Sequence, residues 1–326
     1  MLFRCKNCNG NMVYSPEKGT MYCPFCSGEN TEESIAVPDE ITCPNCGGQL
    51  SIPDVTSACK CVYCGSYLIL DKRVNGQYKP HLILPFKLGK EQAKELLHRE
   101  FDKKIFAPDD FLSELKLSTI EGVYVPFFMY SFHTDTDYMG DTTTVRSWTT
   151  GNRRYTETSF YHVTRKMRAD FSRIPVDASV GMNNQIMDLM EPYDYQALED
   201  FQEKYMSGFF AERYSETPDQ LDERAKEKAN SDADALIRES LSRYGAVTTV
   251  KNERSITRTN TEYALLPVWV YTYQYKDQFY SYHVNGQTGK VIGKAPVSQK
   301  KVWIYSIAQG VFILLMGLAL NLILGV

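Results

Sequence analysis

The spacing of apolar and polar positions predicts three helical stretches in the middle of the chain. Residues 89–104 place apolar side chains at every fourth position, which predicts an amphipathic helix. Residues 186–214 also look helical, with regularly spaced methionine, leucine and aromatic side chains. A third helix is expected from Thr217, where Gln220 sits at the capping-box position, to about Tyr244. Its surface is rich in alanine and charge, which favours partial exposure.

Aromatic and β-branched stretches alternate with these helices and predict strands. Strands are expected at 120–132, 141–148, 154–165, 246–258, 262–275 and 278–284, with an Asn285-Gly286 turn leading to a short strand at 290–292. The alternation of helices and strands favours a mixed α+β fold.

A short repeat lies within the predicted strands. Glu121–Tyr130 and Glu262–Tyr271 both read Glu, four residues, Pro, three apolar residues, Tyr. Each copy follows a predicted helix and precedes hairpin-like sequence, which indicates a duplicated α+β unit. Pro126 and Pro267 suggest that each strand lies at a sheet edge or begins there. Coincidence between two aromatic strands is the alternative.

The chain ends with 25 residues, 302–326, that carry no charged side chain. About 20 apolar helical residues cross the hydrocarbon layer of a bilayer, so this stretch predicts a transmembrane helix. Trp303 and Tyr305 stand at its start, where aromatic rings favour the membrane interface. The alternative is a buried helix of a globular domain. Because the sequence stops at the end of this helix, we expect a tail-anchored protein or a chain that continues further.

Charge predicts the orientation of that helix. The preceding segment contains Lys290, Lys294, Lys300 and Lys301, and no acidic residue follows Asp277. The positive-inside rule then places the N-terminal side in the cytoplasm. A cell-membrane protein with one membrane pass and cytoplasmic N-terminal domains is therefore expected.

Small and polar residues form one stripe along the predicted membrane helix. They are Ser306, Gly310, Gly317 and Asn321. Small residues allow close helix approach, and asparagine can hydrogen-bond across the contact. The stripe predicts helix–helix association, although small residues are also common in membrane helices generally.

Eight cysteines near the start of the chain repeat one metal-binding pattern. Each copy is a CxxC pair followed, after fourteen residues, by a second CxxC pair. The eight are Cys5, Cys8, Cys23, Cys26, Cys43, Cys46, Cys61 and Cys64. Four thiolates in two close pairs suit tetrahedral zinc, and a glycine near the second cysteine of a pair lets the backbone fold under the metal.

Two structural zinc ions are the expected cofactors, because four protein ligands leave no open position for water or substrate. Zinc also holds together a ribbon too short to bury a large core. Disulfides are the alternative, but they require an oxidising compartment and the sequence begins with no signal peptide. Cys59, the ninth cysteine, could replace Cys61 as a ligand, although a spare thiol is the simpler interpretation.

The charge of the ribbons disfavours nucleic acid as a partner. Residues 1–70 contain four basic and seven acidic side chains. Eight thiolates with two Zn²⁺ add four more negative charges, which takes the net charge of the chain from −4 to about −8. Nucleic-acid modules instead need cations that displace phosphate counterions.

These patterns together predict the domain organisation. We expect two zinc ribbons, a duplicated helix and antiparallel-sheet region, and one C-terminal transmembrane helix. The boundaries are 1–34 and 35–72 for the ribbons, 80–215 and 216–298 for the two α+β units, and 302–326 for the helix.

An ordered set of motifs carries a resemblance to a known family. The motifs are Leu84-Pro-Phe-Lys87, Gly122-Val-Tyr-Val-Pro-Phe127, Ile174-Pro-Val-Asp-Ala-Ser179, Glu191-Pro-Tyr-Asp194, Ser207–Tyr214, Leu266-Pro-Val-Trp269 and Asn285–Lys290. With the ribbons, this set resembles bacterial membrane proteins known as transcription factor IIB-type zinc-ribbon proteins. Some of these are encoded beside phage-shock-protein-A-like and flotillin-like (SPFH-domain) proteins. The resemblance implies a membrane scaffold that docks such partners during envelope stress, and it implies no catalytic residues.

We therefore expect a non-enzymatic membrane adaptor that recruits protein partners, with SPFH or phage-shock-type membrane-stress proteins suspected. Five scattered histidines and the absence of a recognisable catalytic motif support this hypothesis. Two alternatives stay open. One is a membrane-tethered nucleic-acid-binding regulator, and the other is a membrane-bound enzyme with an unrecognised site.

Overall fold

The computed structural model describes residues 1–37, 42–108, 120–275 and 278–324. It confirms an α+β protein with two N-terminal Cys₄ ribbons and one long C-terminal helix that is apolar enough to span a membrane. The predicted domain boundaries stay predictions. Strands from several of the predicted segments share one sheet.

The ribbons contribute six short strands: β1 (Leu2–Cys5), β2 (Val13–Ser15), β3 (Thr20–Tyr22), β4 (Glu32–Ile35), β5 (Thr56–Lys60) and β6 (Tyr67–Ile69). The body comprises β7 (Leu82–Ile83), α1 (Lys90–Asp102), β8 (Glu121–Thr150), β9 (Arg153–Asp177), α2 (Asn184–Met190), β10 (Glu199–Asp200), β11 (Phe210–Glu212), α3 (Asp222–Ser240), β12 (Val247–Tyr275), β13 (Gln278–Asn285) and β14 (Val291–Gly293). The C-terminal helix is α4 (Gln299–Leu324).

One ten-stranded sheet organises the body. Its order is β10-β7-β12-β8-β11-β5-β6, with β9 paired to β8, β13 paired to β12, and β14 paired to β13. Side chains alternate between the two faces of each strand. Tyr124 and Phe128 of β8 join the core with α1 and α3, whereas Val125 and Phe127 join the second core with α2.

Strand register shows that the body is a duplicated unit. Strands β8 and β12 pair antiparallel through the two copies of the sequence repeat. Val123 of the first copy pairs with Phe210 of β11, and Ala264, its counterpart, pairs with Leu82 of β7. Strand β11 pairs with β8 of the first copy but precedes α3, the helix of the second copy. Strand β7 pairs with β12 of the second copy but precedes α1, the helix of the first copy. This exchange of short strands relates the two copies by an approximate two-fold axis.

The two repeat prolines lie inside the sheet, so the prediction of an edge or strand start is wrong. Pro126 pairs with Leu265 of β12, and Pro267 pairs with Tyr124 of β8. On its other side, β8 changes neighbour from β11 to β9 near Pro126. Similarly, β12 changes from β7 to β13 near Pro267. A proline lacks the backbone N–H of a ladder, and a change of neighbour is a place where the ladder is already interrupted.

The same symmetry extends to the helix starts. The side chain of Gln92 accepts a hydrogen bond from the Gly89 N–H at 2.9 Å. Gln220 accepts one from the Thr217 N–H at 2.7 Å. In the first copy the helix begins directly, at Lys90, one residue after the predicted start. In the second, residues 217–221 form a turn before α3 begins at Asp222, which corrects the predicted start at Thr217.

The helix expected over 186–214 is mostly absent from the structure. Only α2 forms, and it ends at Met190. Pro192 disfavours helical backbone at the residue before it and offers no N–H to continue the helix. Short 3₁₀ turns and strands β10 and β11 follow, so the methionine and aromatic spacing reflects burial rather than one continuous helix.

Both ribbons form hydrogen bonds with the body. Strand β5 of the second ribbon pairs antiparallel with β11, with Ala58 opposite Ala211. In the first ribbon the Tyr14 N–H donates to the Ser207 carbonyl at 2.8 Å. The Ser207 hydroxyl in turn donates to the Met12 carbonyl at 2.7 Å. The sheet thus continues into the ribbon region.

A long hairpin leaves the opposite end of the sheet. Strands β8 and β9 contain 30 and 25 residues, and β12 accompanies them only as far as the pair Val247–Thr142. Residues 143–150 and 153–160, the arm tip, then continue as two strands. At about 3.3 Å per residue, a straight strand would place the end of the arm tip at most about 90 Å from Gly122.

Candidate metal centres

Each CxxC pair forms the same tight turn. The N–H of the first cysteine donates to the carbonyl five residues later, as in Cys5 to Gly10. Its carbonyl accepts from the residue four positions on, and that residue has a positive φ in all four turns. These residues are Asn9 (59°), Ser27 (60°), Gly47 (72°) and Gly65 (75°). Glycine is therefore used for this backbone conformation in the second ribbon only.

The glycine one position later has a different role in two turns. A Cβ added at Gly10 would lie 2.4 Å from Cδ2 of Phe25. One added at Gly48 would lie 2.5 Å from Cδ2 of Tyr63. In each ribbon, an aromatic ring from the second turn thus closes over a glycine of the first turn, which brings the two cysteine pairs together.

The eight predicted ligands form two groups of four, as expected. Within each group all sulfur atoms lie within 4.8 Å of one another. The sulfurs of Cys5 and Cys26, like those of Cys8 and Cys23, are 3.5 Å apart. In the second group the corresponding distances are 3.7 Å and 3.8 Å. Tetrahedral zinc with Zn–S bonds of about 2.3 Å requires sulfurs about 3.8 Å apart.

This donor set fits two structural zinc ions. Every cysteine is a free thiol in the structure, so no disulfide competes with the metal. In each pair the first cysteine is buried and the second is exposed. Four soft ligands in tetrahedral reach complete the coordination of zinc, so these centres would stabilise the ribbons rather than bind a substrate.

Hydroxyl groups assist one thiolate in each group. Hydrogen bonding with Thr31 lowers the pKa of Cys5 to about 6. Burial opposes ionisation of Cys64, but hydrogen bonds with Ser66 and Asn45 outweigh it and lower the pKa to about 6. A thiol must lose its proton to bind zinc, and these hydrogen bonds favour the thiolate form of one sulfur in each group.

Cys59 belongs to neither group. It lies in β5 opposite Leu68, and burial raises the pKa of its thiol to about 11. It therefore behaves as a partly buried core residue. Within the four described ranges of the chain, the two Cys₄ groups are the only clusters of metal-ligating side chains.

The small residues of the predicted membrane stripe lie on α4. Ser306 is exposed, and a Cβ added at Gly310 or Gly317 would meet no atom within 4 Å. The side chain of Asn321 lies outside the described part of the helix. Along its described length, no other described part of the chain packs against the stripe. Its association with another helix stays a prediction.

An ion-pair network around one buried carboxylate escaped the sequence analysis. Asp177, which ends β9, is fully buried, and Arg224 of α3 lies 2.7 Å from its Oδ1. Arg224 also contacts Asp188 at 2.8 Å. Lys228 contacts Asp188 at 3.0 Å and Glu191 at 2.6 Å. The motifs Ile174–Ser179 and Glu191–Asp194 contain two of its carboxylates, Asp177 and Glu191. Their partners on α3 are distant in sequence, so the motifs alone did not indicate the pairs.

The arm tip was also missed as a unit, although both of its strands were predicted. Gly151-Asn152 is the two-residue turn that joins them, and Gly151 has a φ of 61°. Exposed aromatic and aliphatic side chains occupy both faces of the arm tip. Val145 and Phe160 lie on one face, and Trp148 and Tyr155 stack at 5.8 Å on the other.

Comparison with known proteins supports the first ribbon and a full-length relationship. Residues 2–30 match the A2L zinc ribbon domain. The chain is 34% identical over 333 residues to the Bacillus subtilis (strain 168) protein YdjG, which is described as uncharacterized, and the alignment covers 96% of each chain. No solved structure matches the chain.

Proposed function

The chain belongs to the family of the Bacillus subtilis protein YdjG, and we propose that it acts as a non-enzymatic, membrane-anchored adaptor. Helix α4 anchors the chain in the cell membrane, with the ribbons and the body in the cytoplasm. The adaptor binds protein partners through its ribbons and its α+β body. SPFH-domain or phage-shock-type proteins are the partner class, as the resemblance to zinc-ribbon membrane proteins implies.

Two features support the membrane part of the proposal. The side chains of α4 from Trp303 to Leu320 are exposed, and Gln299–Leu320 is long and apolar enough to cross a bilayer. Exposed apolar side chains of this extent have a high cost in water. The lysines before α4 and the reduced zinc ligands both favour a cytoplasmic body.

The arm tip is the observation that carries the adaptor proposal. The loop that follows α1 contacts the base of α4. Phe101 of α1 packs on Tyr282, which pairs with Tyr271 near the start of β8. The base of α4 therefore lies near the start of β8. The arm tip is at the other end of β8. It exposes 80% of Phe160, together with Val145. Exposed aromatic residues at such a distance from the anchor suit a docking point for a protein partner.

The test measures binding of a purified SPFH-domain protein and a phage-shock-type protein to the full chain in lipid nanodiscs. We expect Val145→Ser with Phe160→Ser to weaken binding of at least one partner by about 30-fold, the loss of one strong hot spot. Phe279→Ser is the matched control, since Phe279 is 73% exposed on β13, away from the arm tip. It should leave binding unchanged.

A zinc-ligand variant separates the contribution of the second ribbon. Cys43→Ser with Cys61→Ser removes two of its four ligands and should weaken any partner that docks there. If neither partner binds the wild-type chain, or if all variants bind equally, the adaptor proposal is wrong in this form.

A further inference from the structure

A loop that follows α1 packs against the start of the C-terminal helix. Residues 103–107, here called the basal loop, contact α4 in three ways. The Ser298 N–H donates to the Phe106 carbonyl at 2.8 Å. The Lys301 ammonium donates to the Ala107 carbonyl at 2.8 Å. The rings of Phe106 and Tyr305 meet edge to face, 5.3 Å apart. The basal loop is thus fixed at the level where α4 begins.

The basal loop and the start of α4 share one arrangement of side chains. Lys103-Lys104-Ile105-Phe106 and Lys300-Lys301-Val302-Trp303 both read two lysines, an aliphatic residue and an aromatic residue. Ile105 is 51% exposed, Phe106 is 37% exposed and Trp303 is 66% exposed. Two separate segments therefore present apolar side chains next to lysines at the same end of the molecule.

The described residues around this surface carry a net positive charge. Residues 100–107 and 294–303 contain five lysines and two carboxylates, Glu100 and Asp102. Glu100 engages Lys103 at 3.2 Å and Lys104 at 2.9 Å, which neutralises part of the basal loop. Lys294 and Lys300 are exposed on the segment that leads into the apolar part of α4. A net positive charge stays on a surface that also exposes apolar side chains.

We propose that the basal loop is a second membrane contact, which inserts Ile105 and Phe106 at the interface and binds the headgroups of anionic phospholipids with its lysines. The proposal rests on the insertion of α4 in the membrane. Aromatic and aliphatic side chains favour the interface, and lysines close to an anionic leaflet gain from its negative potential. Because the basal loop packs against Tyr305, insertion of α4 in the bilayer would place the loop at the membrane interface.

This contact would give the body a defined orientation. A single helix after a short linker leaves a domain free to tilt over the membrane. A second contact beside the helix base would restrict that tilt. Because the arm tip is at the far end of β8, the same contact would hold the arm tip in one direction relative to the membrane.

The test uses the full chain in nanodiscs of phosphatidylcholine, alone or mixed equally with phosphatidylglycerol. Each lipid mixture is prepared with and without bromine on the upper acyl chain, which quenches nearby fluorophores. A fluorescent amino acid replaces Ile105, and separately Trp303 in α4 and Phe160 in the arm tip. We expect quenching at 105 and 303 but not at 160. Phosphatidylglycerol should increase quenching at 105.

Charge variants test the headgroup contact. Lys103→Gln with Lys104→Gln should remove most of the increase in quenching at 105 that phosphatidylglycerol produces, since one lysine near an anionic surface contributes about 1 kcal/mol, or about five-fold in binding. Lys166→Gln with Lys226→Gln is the matched control, because Lys166 lies on β9 and Lys226 on α3. It should leave that increase unchanged.

The three fluorophore positions distinguish the possible failures. Quenching at 303 with none at 105 would overturn the basal-loop proposal and leave the membrane anchor intact. Quenching at 105 that does not depend on phosphatidylglycerol would overturn the headgroup contact. Absence of quenching at 303 would overturn the anchor itself, and with it both proposals.

Discussion

Removing the positive partner of the buried Asp177 is expected to destabilise the body strongly. Asp177 is fully buried, whereas the Arg224 side chain is 19% exposed. Arg224→Met would leave the carboxylate without its cation while preserving most of the apolar stem. Breaking a buried ion pair in this way costs about 3–5 kcal/mol. Since Arg224 keeps some contact with water, we expect about 3 kcal/mol.

Thermal denaturation of the full chain in nanodiscs measures this cost. For a domain of about 200 residues, 1 kcal/mol shifts the Tm by about 2–4 °C, so Arg224→Met should lower it by about 6–12 °C. Lys226→Met, on the same helix, is the control. Its pairs with Asp222 and Glu223 lie at the surface, where an ion pair contributes about 0–1 kcal/mol.

The duplicated architecture supplies a rescue variant. Asn285 occupies the position of Asp177 in the second copy, since it pairs with Val268 as Asp177 pairs with Phe127. A neutral amide is therefore compatible with this position of the fold. Asp177→Asn combined with Arg224→Met should recover at least half of the lost Tm. Equal stability of Arg224→Met and Lys226→Met, or a double variant no better than Arg224→Met, would refute this reasoning.

The pH dependence follows from the same pair. Burial raises the pKa of Asp177 above its ordinary value, even though Arg224 opposes the shift. The folded chain therefore binds this proton at a higher pH than the unfolded chain does. The stability contributed by Asp177 is greatest at low pH and is lost as the pH rises through the raised pKa. Arg224→Met should enlarge this loss and extend it to higher pH, because it removes the group that opposes the raised pKa of Asp177. Asp177→Asn should remove the loss.

Three further changes test other parts of the structure. Cys43→Ser with Cys61→Ser should reduce the zinc content from two ions to one per chain, as measured by elemental analysis of the purified protein. Gly122→Ala should cost about 1–3 kcal/mol in thermal denaturation, because the new Cβ would lie 2.5 Å from Cδ1 of the buried Phe209 ring. Gln220→Ala should cost about 1 kcal/mol in the same assay, since it removes the acceptor for an N–H before α3.

Local patterns predicted the parts of this protein that local interactions determine. The eight zinc ligands follow from spacing alone, because each CxxC turn is closed by hydrogen bonds within six residues. Helix α1 also follows from its own periodicity, and its observed bounds differ from the prediction by one or two residues. The internal repeat correctly indicated a duplicated unit.

Long-range pairing determined what the sequence could not show. No local sequence pattern indicates that β11 lies between β8 and β5. None indicates that β7 pairs with β12 of the second copy rather than with β8 of the first. The position of Pro126 was misjudged for this reason. A proline excludes one ladder hydrogen bond, but only the identity of the neighbours shows that β8 exchanges β11 for β9 at that point.

The difference between the two copies points to the arm as a functional addition. Strand β13 has 8 residues, whereas β9, its counterpart, has 25. The shorter hairpin is sufficient to complete the sheet in the second copy. In the arm tip, as far as the structure describes it, Phe160 and Val145 stay exposed and pack into no core. Exposed apolar side chains on a two-stranded hairpin add little to stability. The adaptor proposal assigns partner binding to this extension, and loss of partner binding without loss of Tm in the Phe160 variant would distinguish it from a structural element.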